Sequence, residues 1–322
     1  MPNHFLSCDW GASNFRLKLI DRSSSRTLAG VAAPRGIQSI HEAWRKSEMP
    51  DRMTFYRMTI KNAISQLSEK YGEDLSGCPL VLSGMASSSI GMKELPYAKL
   101  PVSLNGQGLI VEEIPASRDF LHDLLLISGV QKSGDVMRGE EMQAIGWHKM
   151  QDVTLPEYLL ILPGTHSKHL RIKTGKIVDF QTYMTGELYQ VLKNHSMLKN
   201  SVGPEQEWNA RTQFAFANGV EAIQKGNLSN LLFSIRAKGL QGNLNKTEAA
   251  AYLSGLLIGN EFLNIPDQSI VLCADNNLNP YYTLAMEVLG MKDRCTFVLP
   301  EQAGQVVWRG QLAVLERKRL ES

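Results

Sequence analysis

The chain has 322 residues, 43% hydrophobic and 20% charged, which excludes a disordered tail, a collagen-like repeat and a coiled coil. Its 34 Lys and Arg nearly balance 32 Asp and Glu, leaving a formal net charge of +2. A nucleic-acid binder would carry a basic stripe; the densest basic run here, Arg317, Lys318 and Arg319, reads as a solvated helix end.

Phe5 to Cys8 predicts a buried strand, closed by Asp9-Trp10-Gly11-Ala12-Ser13-Asn14. Phe15, Leu17 and Leu19 then alternate with Arg16 and Lys18, the period of a half-exposed strand. A Ser23-Ser24-Ser25 turn leads to a third strand near Thr27 to Ala32, so the chain opens as a meander. Phe55, Ile60, Ile64 and Leu67 predict a helix, followed by a buried strand at Pro79 to Leu82 and a loop from Ser83. Glu140 to Trp147 is a further periodic helix.

The second half repeats the opening. Tyr158 to Leu162 is a buried run, Pro163-Gly164-Thr165-His166-Ser167-Lys168 a polar turn, and His169 to Lys173 a strand with basic residues on one face. Thr174-Gly175-Lys176 turns into another strand, Ile177 to Met184. An offset of about 150 residues is too long for a solenoid repeat and implies two related domains, with Pro156 at the boundary. The remainder reads as helices (Ala249 to Phe262, Tyr281 to Leu289, Gln305 to Leu315) around a strand at Ile270 to Ala274. Alternation of short apolar runs with helical stretches makes the fold class α/β.

The longest apolar runs, such as Tyr158 to Leu162 and Leu124 to Ile127, are far too short for a membrane span. Met1 leads straight to Phe5 and Leu6 without the features of a signal peptide, so secretion is not expected. The scattered cysteines Cys8, Cys78, Cys273 and Cys295 form no CxxC or Cys/His cluster, which speaks against zinc and fits a reducing cytoplasm.

Five stretches carry candidate chemistry. In the first, Gly11 allows a tight turn whose backbone N–H groups converge on an anion, and Asp9 at the strand end suits Mg²⁺ held through water. The plain alternative is a hairpin with Asp9 as a turn residue. The matching turn at Gly164 to Lys168 favours a pair of loops that cradle a nucleotide's phosphates, and neither half contains a Walker A motif or a GxGxxG.

In the second, Asp135, Arg138, Glu140 and Glu141 gather ahead of a helix. One carboxylate there could take a proton from a substrate hydroxyl while Arg138 binds an anionic group; helix capping is the alternative. The residues alone leave Asp135, Glu140 and Glu141 open. The third, Ser83 to Lys93, offers many donors to a polyhydroxylated ligand or is a surface loop, and Lys93-Glu94-Leu95-Pro96-Tyr97 could close over a ligand or be an exposed turn.

The fourth has Thr185 as a helix N-cap, and His166 and His195 as candidate ligand contacts or as structural histidines. No HxxxH or HxxE spacing points to a catalytic transition metal, and no GxSxG to a serine hydrolase. The fifth, Ala274-Asp275 after a buried strand, suits an adenine or ribose lying across the backbone, or is a plain strand-to-helix connection.

Together DWGASNFR (9–16), SGMASSSIGMKELPY (83–97), VMRGEEMQAIG (136–146), PGTHSKH (163–169), DFQTYMTGELY (179–189), NHS (194–196), YLSGLLIGNE (252–261) and ADNNLNPYY (274–282) resemble the 2-dehydro-3-deoxygalactonokinase family. That family lies in the acetate and sugar kinase, heat-shock ATPase and actin superfamily. The resemblance implies two ribonuclease-H-like (actin-like ATPase) domains with an ATP and substrate cleft between them. They would span residues 1–155 and 156–322, the last helix packing back on the first domain.

It further implies transfer of the γ-phosphoryl of ATP to the 6-hydroxyl of 2-dehydro-3-deoxy-D-galactonate in galactonate breakdown. Asp9 would organise Mg²⁺, and Gly11, Ala12, Ser13 and Asn14 would form one phosphate loop. Gly164, Thr165, His166, Ser167 and Lys168 would form the other. Ala274 and Asp275 would meet the adenosine. Glu140 is the favoured base ahead of Glu141, and Arg16, Gly84, Met85, Ala86, Ser87, Lys93 and Arg138 would hold the sugar acid, Arg138 its carboxylate. Competing expectations are a kinase for another 2-keto-3-deoxy sugar acid, such as the gluconate epimer, and an actin-like nucleotide switch. A homodimer is the default assembly; neither nucleic acid nor membrane is an expected partner.

Overall fold

The computed structural model describes residues 3–151, 155–204 and 208–321. In chain order the elements are β1 (His4–Trp10), β2 (Phe15–Asp21), β3 (Arg26–Ala33), α1 (Ile37–Lys46), α2 (Arg52–Tyr71), β4 (Leu80–Gly84), β5 (Ala98–Lys99), β6 (Val102–Ser103), β7 (Val111–Ile114), β8 (Leu124–Ile127), β9 (Val130–Lys132), β10 (Asp135–Met137) and α3 (Glu140–Lys149). There follow β11 (Glu157–Leu162), β12 (Ser167–Lys173), β13 (Lys176–Tyr183), α4 (Thr185–His195), α5 (Ala210–Lys225), α6 (Leu228–Leu240), α7 (Lys246–Glu261), β14 (Ile270–Leu272), α8 (Asn279–Val288), β15 (Cys295–Phe297), α9 (Pro300–Ala303) and α10 (Val306–Glu321).

The chain divides into two compact units. The first comprises Met1–Leu155, Lys173–Asp179 and Gly304–Ser322; the second comprises Pro156–Ile172 and Phe180–Ala303. Beyond Leu155 the chain returns to the first unit twice, with the final helix and with Lys173–Asp179, a return that a boundary at Pro156 does not foresee. Lys176 and Ile177 return because they pair antiparallel with Ser103 and Val102 of β6. The final helix α10 returns because it packs on α3. A Cβ at Gly146 would lie 1.7 Å from Val306 O and one at Gly310 would lie 2.1 Å from Met142 O, so these backbones meet only without side chains.

In the first unit the sheet order is β3-β2-β1-β4-β8-β7. β1 pairs antiparallel with β2 and β2 with β3, whereas β1–β4 and β4–β8 are parallel. The burial of β1 on both faces explains its continuous apolar run, and the alternation in β2 leaves Arg16 exposed while Leu17 and Leu19 are covered. α2 starts where Asp51 accepts the N–H groups of Met53 and Thr54, and stops at Gly72 in the left-handed region. Its Tyr56, Ile60, Ile64 and Leu67 enter the core of this sheet.

The second unit repeats this order as β13-β12-β11-β14-β15, with β11–β14 and β14–β15 parallel. Both units thus carry the 3-2-1-4-5 order of a ribonuclease-H-like domain. Its helical layer is built on α5 and α7, each opened by a capping box, Asn209 with Thr212 and Asn245 with Glu248. No described helix is long and apolar enough to cross a membrane.

Candidate active site

Three chain ends converge in the first unit. Asp9 and Trp10, closing β1, lie in register with Ser83 and Gly84, closing β4. Gly139, just before α3, approaches Gly84 so closely that a Cβ on it would lie 3.4 Å from the Gly84 Cα. Gly84 and Gly139 both have positive φ, +86° and +112°, where a side chain is strained. The start of α3 is thereby set against the C-terminal ends of two parallel strands, where open α/β sheets bind ligands.

The groups gathered there are acidic. Asp9 Oδ2 accepts from Arg16 Nη1 at 3.1 Å. Burial raises the Asp9 carboxyl above its ordinary value, Arg16 opposes the rise and the charge of Glu140 adds to it. Asp9 and Glu140 are therefore electrostatic neighbours although 131 residues apart in sequence. Glu140 Oε2 accepts the Arg138 N–H at 2.9 Å, and both oxygens of Glu141 accept the Gly139 N–H at 2.9 and 2.8 Å. Both acids thus turn back to backbone N–H groups just ahead of α3, whose N-cap Gly139 makes no side-chain cap bond.

They differ in access. Glu140 is partly exposed, whereas Glu141 is fully buried and its carboxyl is pushed up to about 8, first by burial and then by the charge of Glu140. Asp135, in β10, turns its Oδ1 to the N–H of its neighbour Val136. The raised Glu141 carboxyl fixes a pH dependence. From about 4.5 to about 8 the folded chain holds a proton that the unfolded chain has released, so stability falls with rising pH by about 1.4 kcal/mol per unit. Glu141→Gln is expected to flatten that slope and to unfold at higher temperature than the wild type at pH 8; an unchanged slope in thermal melts would contradict it.

The serine-rich stretch is not a surface loop. Ala86, Ser87 and Ser88 are buried, and Ser87 Oγ donates to Ile127 O at 2.7 Å. Arg138 Nη1 donates to Ser87 O and Ser87 Oγ at 2.5 and 2.6 Å, and its guanidinium lies 4.1 Å above the Tyr97 ring. Met85 is half-buried beside it. Lys93 forms an ion pair with Glu112. In the Gly11 to Asn14 turn, Gly11 N–H donates to Asn14 O at 2.9 Å, while Ala12, Ser13 and Asn14 are exposed. The turn rests on Gly36, where a Cβ would lie 1.8 Å from Ala12 O.

Gln311 escapes a sequence reading. From α10 its Nε2 donates to Cys8 O and to Ser83 Oγ, both at 2.8 Å, tying β1 to β4 one residue before Asp9 and Gly84. A glutamine in an apolar helix carries no local sign of this.

The second unit holds a cavity of about 600 Å³. Trp208 and Tyr281 stand on one side with ring centroids 4.1 Å apart, Leu257 and Ile258 line it, and Gly164, Thr185 and Tyr282 form a more polar part. Its size suits a small-molecule ligand such as a nucleoside, and its lining mixes apolar residues with polar ones, Gln190, Thr247, Ser254 and Asn277 among them. Of the Gly164 to Lys168 turn, Gly164 lines the cavity, Thr165 and His166 are exposed, and His166 bonds Glu187 at 2.5 Å. Ser167 and Lys168 are instead buried at the start of β12, with Lys168 Nζ donating to His166 O at 2.9 Å.

Ala274 and Asp275 do not line the cavity. Ala274 is packed in the core, and Asp275 Oδ1 accepts the N–H groups of Asn277 and Leu278, both at 3.0 Å, to start the turn into α8. Asn277, Leu278 and Tyr281 take that place. Thr185 is not an N-cap either: Met184 holds that position without a side-chain bond, and the Thr185 hydroxyl goes to Glu261. His195 is exposed at the far end of α4. Among the described residues, no group of three or more His, Cys, Asp and Glu is arranged to hold a metal.

The 2-keto-3-deoxy-galactonokinase family model matches residues 9–314, through both units. The chain belongs to that family. A 2-dehydro-3-deoxygalactonokinase of Escherichia coli strain K12 is 29% identical over 304 residues, 90% of this chain and 91% of that one. A relative from Rhizobium meliloti strain 1021, named for the same activity, is 28% identical over 302 residues, with the same coverage. A crystal structure from Sinorhizobium meliloti, also named for it, superposes with a TM-score of 0.78 at 26% identity, covering 97% of this chain and 98% of its own. As a member of the 2-keto-3-deoxy-galactonokinase family the chain is a kinase, a phosphotransferase of carbohydrate metabolism.

Proposed function

We propose that the protein transfers the γ-phosphoryl of ATP to the primary 6-hydroxyl of 2-dehydro-3-deoxy-D-galactonate. Membership of the family over residues 9–314 carries this reading. The acids at the strand ends of the first unit suit the chemistry, and the aromatic cavity of the second suits a nucleoside. Phosphoryl transfer asks for in-line positioning and charge neutralisation rather than covalent catalysis.

Glu140 is assigned as the base that accepts the hydroxyl proton: it is partly exposed, beside Asp9, and held at the helix start by the Arg138 N–H. Glu141, sealed in the core, is assigned to structure. Mg²⁺ prefers one or two carboxylates together with phosphate oxygens and water, and the partly exposed Asp9 carboxylate fits that donor set. When bound, the ion would neutralise phosphate charge. The exposed backbone of Ala12 to Asn14 and of Thr165 and His166 is assigned to phosphate oxygens, and Trp208 and Tyr281 to the adenine face. Arg138, Arg16 and Lys93 are the cations for the sugar acid's carboxylate, Arg138 first because Ser87 and Tyr97 already fix its guanidinium. Four free cysteines accord with a cytoplasmic enzyme.

The test is ADP release from Mg-ATP with and without the sugar acid. Strong stimulation is expected, with a higher kcat/KM than for the gluconate epimer. ATP hydrolysis that ignores the sugar acid would place the protein among nucleotide switches, and a preference for the epimer would reassign the substrate.

A further inference from the structure

Glu261 is the last residue of α7, where the helix dipole disfavours an anion, and it is completely buried. A carboxylate there needs donors around it. It accepts from His169 Nε2 at 3.0 Å, from Tyr282 Oη at 2.6 Å and from the Thr185 hydroxyl. Burial, and next the Glu261 charge, hold the Tyr282 hydroxyl well above its ordinary value, so it stays protonated.

The proton directions follow. Tyr282 has one hydrogen, and Glu261 takes it. In the 2.9 Å pair between Ser167 Oγ and Tyr282 Oη, Ser167 must therefore be the donor. The Ser167 oxygen in turn accepts the Gly164 N–H at 3.3 Å. A one-way chain runs from Gly164 through Ser167 and Tyr282 to Glu261. Its second arm, through Thr185, reaches the first residue of α4. There Gly186 sits so close to the turn that a Cβ would lie 2.8 Å from the Thr165 Cα, and Glu187 N–H donates to Thr165 O at 3.1 Å. Gly164, Thr185, Gly186 and Tyr282 all line the cavity, whereas Glu261 does not.

We propose that Glu261 is a positioning residue that holds the Gly164–Ser167 turn and the start of α4 in place for the phosphates of a nucleotide bound in this cavity. The inference rests on the reading of the cavity as a nucleotide site. It separates Glu261 from a residue that merely stabilises the second unit, because only a positioning role distinguishes a ligand with phosphates from one without.

Isothermal titration of the full chain with Mg-ATP and with adenosine tests it, for the wild type, Glu261→Gln and Tyr282→Phe. Both variants are expected to weaken ATP about tenfold, the equivalent of one charge-assisted hydrogen bond, and to leave adenosine within about twofold. ATP unchanged, or ATP and adenosine weakened in the same proportion, overturns the role of Glu261. Tyr282→Phe gives the same reading if Glu261→Gln does not fold. A wild type that binds neither ligand overturns the nucleotide reading itself, a result distinct from either.

Discussion

Asp9→Asn is expected to lower kcat by about 10²–10³-fold, the scale of removing one electrostatic contributor to a charged transition state. Asparagine keeps the shape of the side chain and an oxygen for Arg16, whose Nη1 lies 3.1 Å from Asp9 Oδ2. What disappears is the negative charge. Burial opposes that charge in the folded chain, so its removal is not expected to lower the melting temperature. Loss of turnover with an unchanged melt therefore assigns Asp9 to the chemistry. A kcat within threefold of wild type would return Asp9 to the plain turn residue of a β1–β2 hairpin.

Glu140→Gln is expected to reduce kcat by about 10²–10⁴-fold, the usual contribution of a general base. Glutamine retains a carbonyl oxygen for the Arg138 N–H, so the start of α3 survives. The acid limb of the kcat profile, where the base becomes protonated, should vanish with it. Glu141→Gln is the control, because that carboxyl is completely buried and both its oxygens accept the Gly139 N–H. It is expected to retain turnover while altering pH-dependent stability. Reversal of the two phenotypes would assign the base to Glu141.

Much of the fold was legible because its signals are local. The alternation Phe15, Leu17, Leu19 predicts a strand seen as β2, and the apolar run at Phe5 to Cys8 is the buried middle of β1. The repeat of strand, polar turn and strand after Tyr158 is the repeat of strand order in the two sheets. α1 went unread because Gly36 gives it no side-chain cap and only Ile37 and Ile40 are buried. The basic face expected of His169 to Lys173 is divided by tertiary packing: His169 is buried, Arg171 and Lys173 exposed.

The candidate site divides in the same way. Asp9, Glu140 and Arg138 stand in dense polar motifs and are visible as residues. The residues that hold the site together are not. Gln311 inside α10 and Glu261 at the end of α7 are single polar positions beside apolar neighbours, and their partners lie 303 and 92 residues away. Trp208 and Tyr281 carry no local sign of a shared cavity wall, since nothing in the sequence brings together residues 73 positions apart. At Ala274 and Asp275 the contacts are those of a plain strand-to-helix connection: the aspartate satisfies the N–H groups of Asn277 and Leu278 with its own side chain.

The most direct measurement is the phosphorus NMR spectrum of the product formed by the wild-type protein from Mg-ATP and 2-dehydro-3-deoxygalactonate. A phosphate on the primary 6-carbon couples to two protons, so a monoester triplet that grows in step with ADP is expected. Inorganic phosphate as the only new signal, or a monoester doublet from a secondary carbon, would contradict it.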